Sequence, residues 1–488
     1  MLQKINHNIK RPVFLQIYDQ VKDLIESNTL KNGDRLPSSR ELGRILGVNR
    51  STVTKAYNEL MINGYTESSP GSYTIVRKRL SDKLVSDKLY NNTSDLDLLY
   101  KETIALPYDS IICALENGER TETDKINFAE LYPDTSVLDD LYIKRCIRDT
   151  FYKAQVDLPK YLNIRGYQPL RSAIIDIMRS DYVSIEDQNI LITNSSLQSL
   201  QLVFQAFSKQ GDYIVVENTC DPIVLQMAKV FRLSIIKIPV LSNGMDLDLL
   251  TKQLNEREIR FIYTMPTYQN PTGISMSQDK REEFLNICSE YNCLIIENGT
   301  EEEMSYTRRP FVPLKALDKR GQVIYLGTFS KIMAPALRIG WIASTSECIK
   351  KLTVLKSVFE VSTNSIIHIF LYHFIKSGAF ELHLRKTRRL LKKKMNIAVN
   401  AIKQYLPKDK IEWIEPNGGC LIWIRLLTLK IENPENYFSD FGIMVLDGDT
   451  FFHHSQENNY IRICIAQTNE TEIADGFKKL GEAIRRLV

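Results

Sequence analysis

Between residues 190 and 326 the chain repeats one pattern: short apolar runs at 190–193, 213–217, 234–238, 261–265, 294–297 and 323–326, separated by stretches whose apolar residues have helical spacing. A strand that reads as an unbroken apolar run is buried on both faces, and interleaved helices are what cover it. The pattern therefore predicts an α/β fold with a mostly parallel sheet. At 488 residues the chain exceeds one ordinary domain, so two or three are expected, and 43% hydrophobic residues suffice for a sizeable core.

The last run, Val323 to Leu326, is followed by Gly327 and Thr328, which are expected to end the strand. Lys331 then falls where strand passes into loop, and that edge is where an α/β sheet places functional groups. A desolvated lysine amine forms a Schiff base with an aldehyde, while Thr328, Ser330 and Arg338 supply donors and a charge for a phosphate. The combination suits pyridoxal phosphate. A loop lysine alone is an ordinary solvated charge, but the neighbours set this one apart. Thr-Phe-Ser-Lys331, followed seven residues later by Arg338 in Arg-Ile-Gly-Trp, resembles the lysine loop of fold-type I pyridoxal-phosphate aminotransferases. Residues 263–273, Tyr-Thr-Met-Pro-Thr-Tyr-Gln-Asn-Pro-Thr-Gly, resemble the segment that precedes that loop in the same enzymes.

Residues 1–76 follow a different rule. Phe14, Ile17, Tyr18, Val21, Leu24 and Ile25 make one stripe of an amphipathic helix that begins near Pro12. Ser38 with Glu41 has the form of a capping box, and Leu42, Ile45 and Leu46 give the second helix its apolar face. Gly47 permits a tight turn, Asn49 caps a third helix, and Val53, Ala56, Tyr57, Leu60 and Met61 form its buried stripe. With that stripe inward, Arg50, Ser51, Thr52, Thr54 and Lys55 crowd the outward N-terminal part of the third helix, where a recognition helix meets bases and phosphates. Tyr65 to Glu67 and Tyr73 to Val76 read as a hairpin wing around Pro70 and Gly71.

The ordered series Leu36-Pro-Ser-Ser-Arg-Glu-Leu, Leu46-Gly-Val-Asn-Arg-Ser-Thr-Val and Ala56-Tyr, with Gly64 and Gly71 after it, resembles the GntR-type winged helix-turn-helix over residues 10–76. That resemblance implies double-stranded DNA as partner. It assigns Arg40 and Arg50 to phosphates or guanine, Ser51 and Thr52 to the groove, and Gly71 to the minor-groove side of the wing.

Residues 77–122 read as a linker. If flexible, its span would be roughly 35–40 Å, enough to reach a partner subunit, although Leu96, Leu98, Leu99, Ile111 and Ile112 favour docking of its second half on the large domain. Residues 123–488 form the aminotransferase-like body, with a small α+β subdomain over about 385–488. A basic, Leu-rich helix from Arg385 to Lys394 leads into that subdomain and reads as a solvated face. A winged helix-turn-helix joined to such a body resembles the MocR subfamily of GntR regulators, with Asn163 to Arg171 and Gly442 to Phe452 as further family segments. The resemblance implies a head-to-tail homodimer and a small effector, an amine or amino acid, read out at the DNA. It makes Lys331 the Schiff-base lysine, Asn270 the donor to the pyridine hydroxyl, and Arg462 the clamp for an effector carboxylate. Thr328, Ser330 and Arg338 would hold phosphate, opposite Ser195 and Ser196 at a helix N-terminus.

The pocket departs from the family. Where Glu-Asp-Asp-Tyr-Asp is usual, this chain has Glu297-Asn298-Gly299-Thr300-Glu301. Asn298 replaces the carboxylate that pairs with the ring nitrogen, Thr300 the tyrosine, and Asp221 an aromatic that stacks on the ring. Ser195 and Leu197 replace the usual Gly and Gln. On a shifted register Glu297 or Glu301 would supply the carboxylate. An amide cannot balance a pyridinium, so proton removal from a bound substrate suffers while amine exchange does not. The expected function is a DNA-binding transcriptional regulator whose body senses an effector with little or no turnover. An active aminotransferase and a regulator free of pyridoxal phosphate are the rivals.

Bulk properties agree with an anionic partner for the first segment. Residues 1–79 carry 13 Lys and Arg against 7 Asp and Glu, while the whole chain is only +4. Eight scattered cysteines lack zinc spacing, no metal site is expected, and no apolar run reaches the ~18 residues of a membrane span. A cytoplasmic protein with reduced thiols is expected.

Overall fold

The computed structural model describes residues 5, 11–27, 29–67, 73–77, 125–131, 133–152, 163–306, 311–427, 431, 433–452 and 459–487. The chain divides into two compact units, Met1–Ile104 and Ala105–Val488.

In the first unit, α1 (Val13–Glu26) follows Pro12, whose lack of an N–H costs nothing at a helix start. The second helix, α2 (Ser39–Leu46), starts on Ser38, whose side chain accepts from the Glu41 N–H at 3.2 Å, and ends on Gly47 at φ 67°, a left-handed conformation that glycine adopts without strain. The third, α3 (Arg50–Ile62), starts on Asn49, which accepts from the Ser51 N–H at 3.1 Å. Ile17, Val21, Ile25, Leu42, Val53, Ala56 and Leu60 form the core. The two-residue strands β1 (Thr66–Glu67) and β2 (Ile75–Val76) pair antiparallel. Two expected apolar positions face solvent instead: Ile45 is 63% exposed and Met61 42%. The eight-residue α2 packs through Leu42 and Gly43. A Cβ on Gly43 would lie 3.0 Å from the Val48 carbonyl oxygen, so the close approach is made there and Ile45 is turned away. The wing tip with Pro70 and Gly71, and the linker beyond Arg77 with its five apolar residues, lie outside the described residues.

The second unit begins with β3 (Ile126–Asn127) and is built on an eight-stranded sheet of β4 (Ile190–Thr193), β5 (Tyr213–Asn218), β6 (Ser234–Leu241), β7 (Gly244–Met245), β8 (Ile259–Thr264), β9 (Leu294–Asn298), β10 (Val323–Thr328) and β11 (Gly340–Ala343). The spatial order is β4-β11-β10-β9-β8-β5-β6-β7. Neighbouring strands from β10 through β6 run parallel, while β11 is antiparallel to both its neighbours. Apolar clusters on both sides of the sheet explain why its strands alternate so little. Gly327 and Thr328 do not end β10, contrary to the sequence pattern. Gly327 stays in the ladder opposite Trp341, whose ring takes the space of a side chain: a Cβ on Gly327 would lie 2.2 Å from Trp341 Cε2.

A 27-residue helix, Ala379–Tyr405, leads to the smaller subdomain, where β12 (Ile411–Trp413), β13 (Leu421–Leu426), β15 (Leu446–Asp447) and β16 (Tyr460–Cys464) form an antiparallel sheet in the order β12-β13-β16-β15. Between them in sequence, β14 (Ile443–Met444) pairs parallel with β3. Met395, Ile402, Ile422, Ile424, Ile461, Phe477 and Leu480 belong to the core between this sheet, the long helix and the terminal helix Glu470–Arg486. The basic run on the long helix is not uniformly solvated. Lys394 is 1% exposed, with its ammonium 2.7 Å from Asp134 and 2.7 Å from the Ala466 carbonyl, while Arg388 pairs with Glu303. A charge on the inward side of a helix must carry a partner with it.

Candidate functional sites

On the first unit, Arg40 of α2 and Arg50, Ser51, Thr54 and Lys55 of α3 are exposed, and Thr52 is half-buried. They gather around the N-terminus of α3, whose dipole favours anions. Several side chains are engaged locally: Arg50 Nε donates to Ser39 Oγ at 3.4 Å, Ser51 Oγ to Asn49 Oδ1 at 3.0 Å, and Thr54 Oγ1 to the Arg50 carbonyl at 3.0 Å. The Lys55 ammonium lies 4.2 Å over the Phe14 ring.

On the second unit, β4, β5, β8, β9 and β10 all deliver their carboxyl ends to one edge of the sheet. The loops that follow carry Asn194 to Ser196, Thr219 to Asp221, Met265 to Asn270, Gly299 to Glu301 and Phe329 to Lys331, so residues far apart in sequence meet there. Lys331 Nζ donates to Glu301 Oε1 at 2.7 Å, and Glu301 is 1% exposed. Burial alone would lower the Lys331 pKa, but the charges of Glu301 and then Asp221 outweigh it and raise it.

The register of β9 settles which acid lies where. Asn298 is opposite Leu326, its Nδ2 donates to the Tyr263 hydroxyl at 2.7 Å, and its Oδ1 accepts from the Thr300 N–H at 3.1 Å. Glu297 is turned elsewhere, its carboxylate accepting the N–H groups of Leu314 and Lys315, both at 2.7 Å. Asp221 caps the helix Pro222–Val230 through the Ile223 N–H at 3.0 Å and also accepts from Asn270 Nδ2 at 3.0 Å. Asn270 is 4% exposed, and its Oδ1 has no hydrogen-bond partner among the described residues.

At the other end of the pocket, Ser195 caps the twelve-residue helix Ser196–Phe207 by accepting from the Gln198 N–H at 3.2 Å. Gly340 lets that helix start come close, since a Cβ on it would lie 2.6 Å from the Ser195 carbonyl carbon and 2.7 Å from the Ser196 nitrogen. Thr328 Oγ1 accepts from the Ser330 N–H at 3.2 Å, and the buried Ser330 Oγ has no partner among the described residues. Arg338 is exposed at φ 48°. Arg462 is 5% exposed, donates Nη2 to the Ala129 carbonyl, keeps Nε without a partner among the described residues, and lies 5.5 Å from the Phe451 ring.

These groups fit pyridoxal phosphate at two of its three ends. An orphaned hydroxyl beside a helix N-terminus suits the phosphate, and Lys331 suits the aldehyde. The ring nitrogen would meet an amide whose two ends are both used. The sequence named Lys331, Asn270, Asn298 and Asp221, but not the pairing of Lys331 with Glu301 or of Asp221 with Asn270. No local pattern carries those contacts.

A winged helix-turn-helix and an aminotransferase body in one chain are the build of a DNA-binding transcriptional regulator. The description "Aminotransferase class I and II" matches residues 124–480, and "Bacterial regulatory proteins, gntR family" matches residues 14–76. The chain is 31% identical to the aromatic-amino-acid aminotransferase 1 of Thermococcus litoralis, over 83% of this chain and 98% of that protein. It is 28% identical to the HTH-type transcriptional regulator YdfD of Bacillus subtilis, over 98% of this chain and 97% of that one. Among solved structures, the multiple substrate aminotransferase from Thermococcus profundus superposes with a TM-score of 0.72 at 29% identity, covering 78% of this chain and 98% of that one. This chain belongs to the aminotransferase class I and II family and carries a gntR-family regulatory domain ahead of that body.

Proposed function

We propose that this protein regulates transcription by binding DNA through residues 1–76, with residues 77–122 as connector and residues 123–488 as an effector-sensing body that turns its ligand over little or not at all. What supports this reading is a gntR-type helix-turn-helix in the same chain as an aminotransferase body whose β9 ends on Asn298 rather than on a carboxylate. When bound, pyridoxal phosphate supplies an aldehyde that an amine effector can take over from the lysine. Thr328, Ser330, Arg338 and the Ser195–Ser196 helix start would hold its phosphate, Lys331 its aldehyde carbon, and Asn270, whose Nδ2 keeps a second N–H besides the one donated to Asp221, its ring hydroxyl. Arg462 Nε takes an effector carboxylate. Asn298 brings no negative charge to the ring nitrogen, so proton removal from the effector is disfavoured and binding is the result.

Arg40, Arg50, Ser51, Thr52, Thr54 and Lys55 meet the DNA. Two chains pair head to tail, in the cytoplasm. Among the described residues no helix is long and apolar enough to cross a membrane. An Arg50→Ala, Thr52→Ala variant tests the reading: it is expected to bind promoter fragments at least tenfold more weakly at matched salt, and equal binding refutes it. One rival is a regulator that does not use pyridoxal phosphate, and an effector response retained in Lys331→Ala would select it.

A further inference from the structure

We propose that Glu301 decides which amine holds the aldehyde of pyridoxal phosphate: its carboxylate receives Lys331 once an effector amine has displaced it, and so draws the exchange toward the effector. The inference rests on the reading of the Lys331 pocket given above and adds a positioning residue to it.

Glu301 lies in the turn after β9 with its side chain 1% exposed, and among the described residues Lys331 is the only cation that pairs with it, at 2.7 Å. A carboxylate buried this far needs a partner. Lys331 provides one in a single state. Released, it is an ammonium with three N–H donors, and Glu301 takes one of them. Bonded to the aldehyde carbon, Nζ keeps one N–H, which the ring hydroxyl beside the aldehyde takes, and Glu301 is left buried without a donor. A buried charge that loses its partner is strongly disfavoured. An effector nitrogen on the same carbon makes the same bond to that hydroxyl, so the two occupants differ chiefly in what Glu301 gains when the lysine is free.

The exchange balances without a further reactant. The effector enters as an ammonium, the C=N bond to Lys331 Nζ breaks and a C=N bond to the effector nitrogen forms. Two protons pass from the effector nitrogen to Nζ, which leaves as the ammonium that Glu301 holds. Among the described residues, the titratable groups that act on Lys331 are Glu301, Asp221 after β5 and Cys420 before β13. The Cys420 thiol stays neutral at neutral pH, because its hydrogen bond with Cys464 and then burial push its pKa well up. The two carboxylates, Glu301 first, are left to hold the charge.

The test loads the full-length protein with pyridoxal phosphate, adds methylamine in steps, reduces with borohydride and maps the label by mass spectrometry. The parent protein is expected to lose the label from Lys331 as methylamine rises. Glu301→Gln should need at least tenfold more methylamine to lose half of it, and Glu301→Asp, which keeps the charge, should recover part of the difference. A second readout needs no pyridoxal phosphate. In the unloaded protein, acetylation of Lys331 by acetic anhydride at about pH 8 should be at least tenfold faster in Glu301→Gln, since more of the amine is then uncharged, a change that a merely structural role would not produce. Label on Lys331 with equal displacement in parent and Glu301→Gln overturns the proposal alone, and so does equal acetylation. No label on Lys331 in the parent overturns the reading of the pocket and the proposal with it.

Discussion

Replacing Lys331 by Met takes the ammonium out of a pair whose carboxylate, Glu301, is 1% exposed. At the observed 2.7 Å and an effective dielectric of about 20, the gross attraction is roughly 6 kcal/mol. Desolvation of the two charges takes back several kcal/mol, so the single variant is expected to cost about 3–5 kcal/mol, because it strands a buried acid. Lys331→Met with Glu301→Gln should recover much of that, with a coupling of about 3 kcal/mol in the double-mutant cycle. Urea unfolding of the protein without added pyridoxal phosphate measures each corner.

The sign with pH follows from the raised Lys331 pKa. The contribution is fully present below the free lysine value of 10.5 and is lost only as pH rises through the higher folded value. The coupling should therefore be flat across neutral pH. Glu301→Gln alone lowers the Lys331 pKa, so capture of pyridoxal phosphate, followed by absorbance and borohydride labelling, should extend to lower pH. A coupling below about 0.5 kcal/mol, with capture profiles that superimpose, would show that Glu301 does not hold the lysine and that the reasoning is wrong.

Gly340→Ala would push a methyl into the Ser195–Ser196 backbone and should weaken capture of pyridoxal phosphate at least tenfold, read by absorbance titration. Glu217, fully buried and bonded by Thr264 Oγ1 at 2.6 Å, has its pKa raised to about 7 by burial against that hydrogen bond. Its contribution is present below the free value of 4.5 and is lost as pH rises to about 7, roughly 3 kcal/mol in all, and Glu217→Gln should flatten the pH dependence of unfolding over that window. Ser38→Ala removes the cap of α2 and should destabilise the DNA-binding unit by about 1 kcal/mol, measured by thermal unfolding.

Much of this protein was legible in its sequence because much of it is set over short range. The apolar runs at 190–193 and 323–326 became β4 and β10, and Ser38, Gly47 and Asn49 start and stop helices where their side chains and φ preferences dictate. Asn298 and Lys331 could be singled out because each lies in a contiguous stretch, 297–301 and 328–341. Partnership was not legible. Gly327 continues a strand because Trp341 of the neighbouring strand fills its place, Lys394 is buried because Asp134 is there to meet it, and Ile45 is exposed because α2 packs through Leu42 and Gly43.

The amino-acid sequence by itself determined a gntR-type helix-turn-helix ahead of an aminotransferase-type α/β body, since propensity, periodicity and capping act within a few residues. Only the tertiary structure decided that Lys331 is held by Glu301 and Asn270 by Asp221. Those contacts join loops 30 and 49 residues apart, and only the register of the strands beneath those loops sets which side chains come within hydrogen-bonding distance.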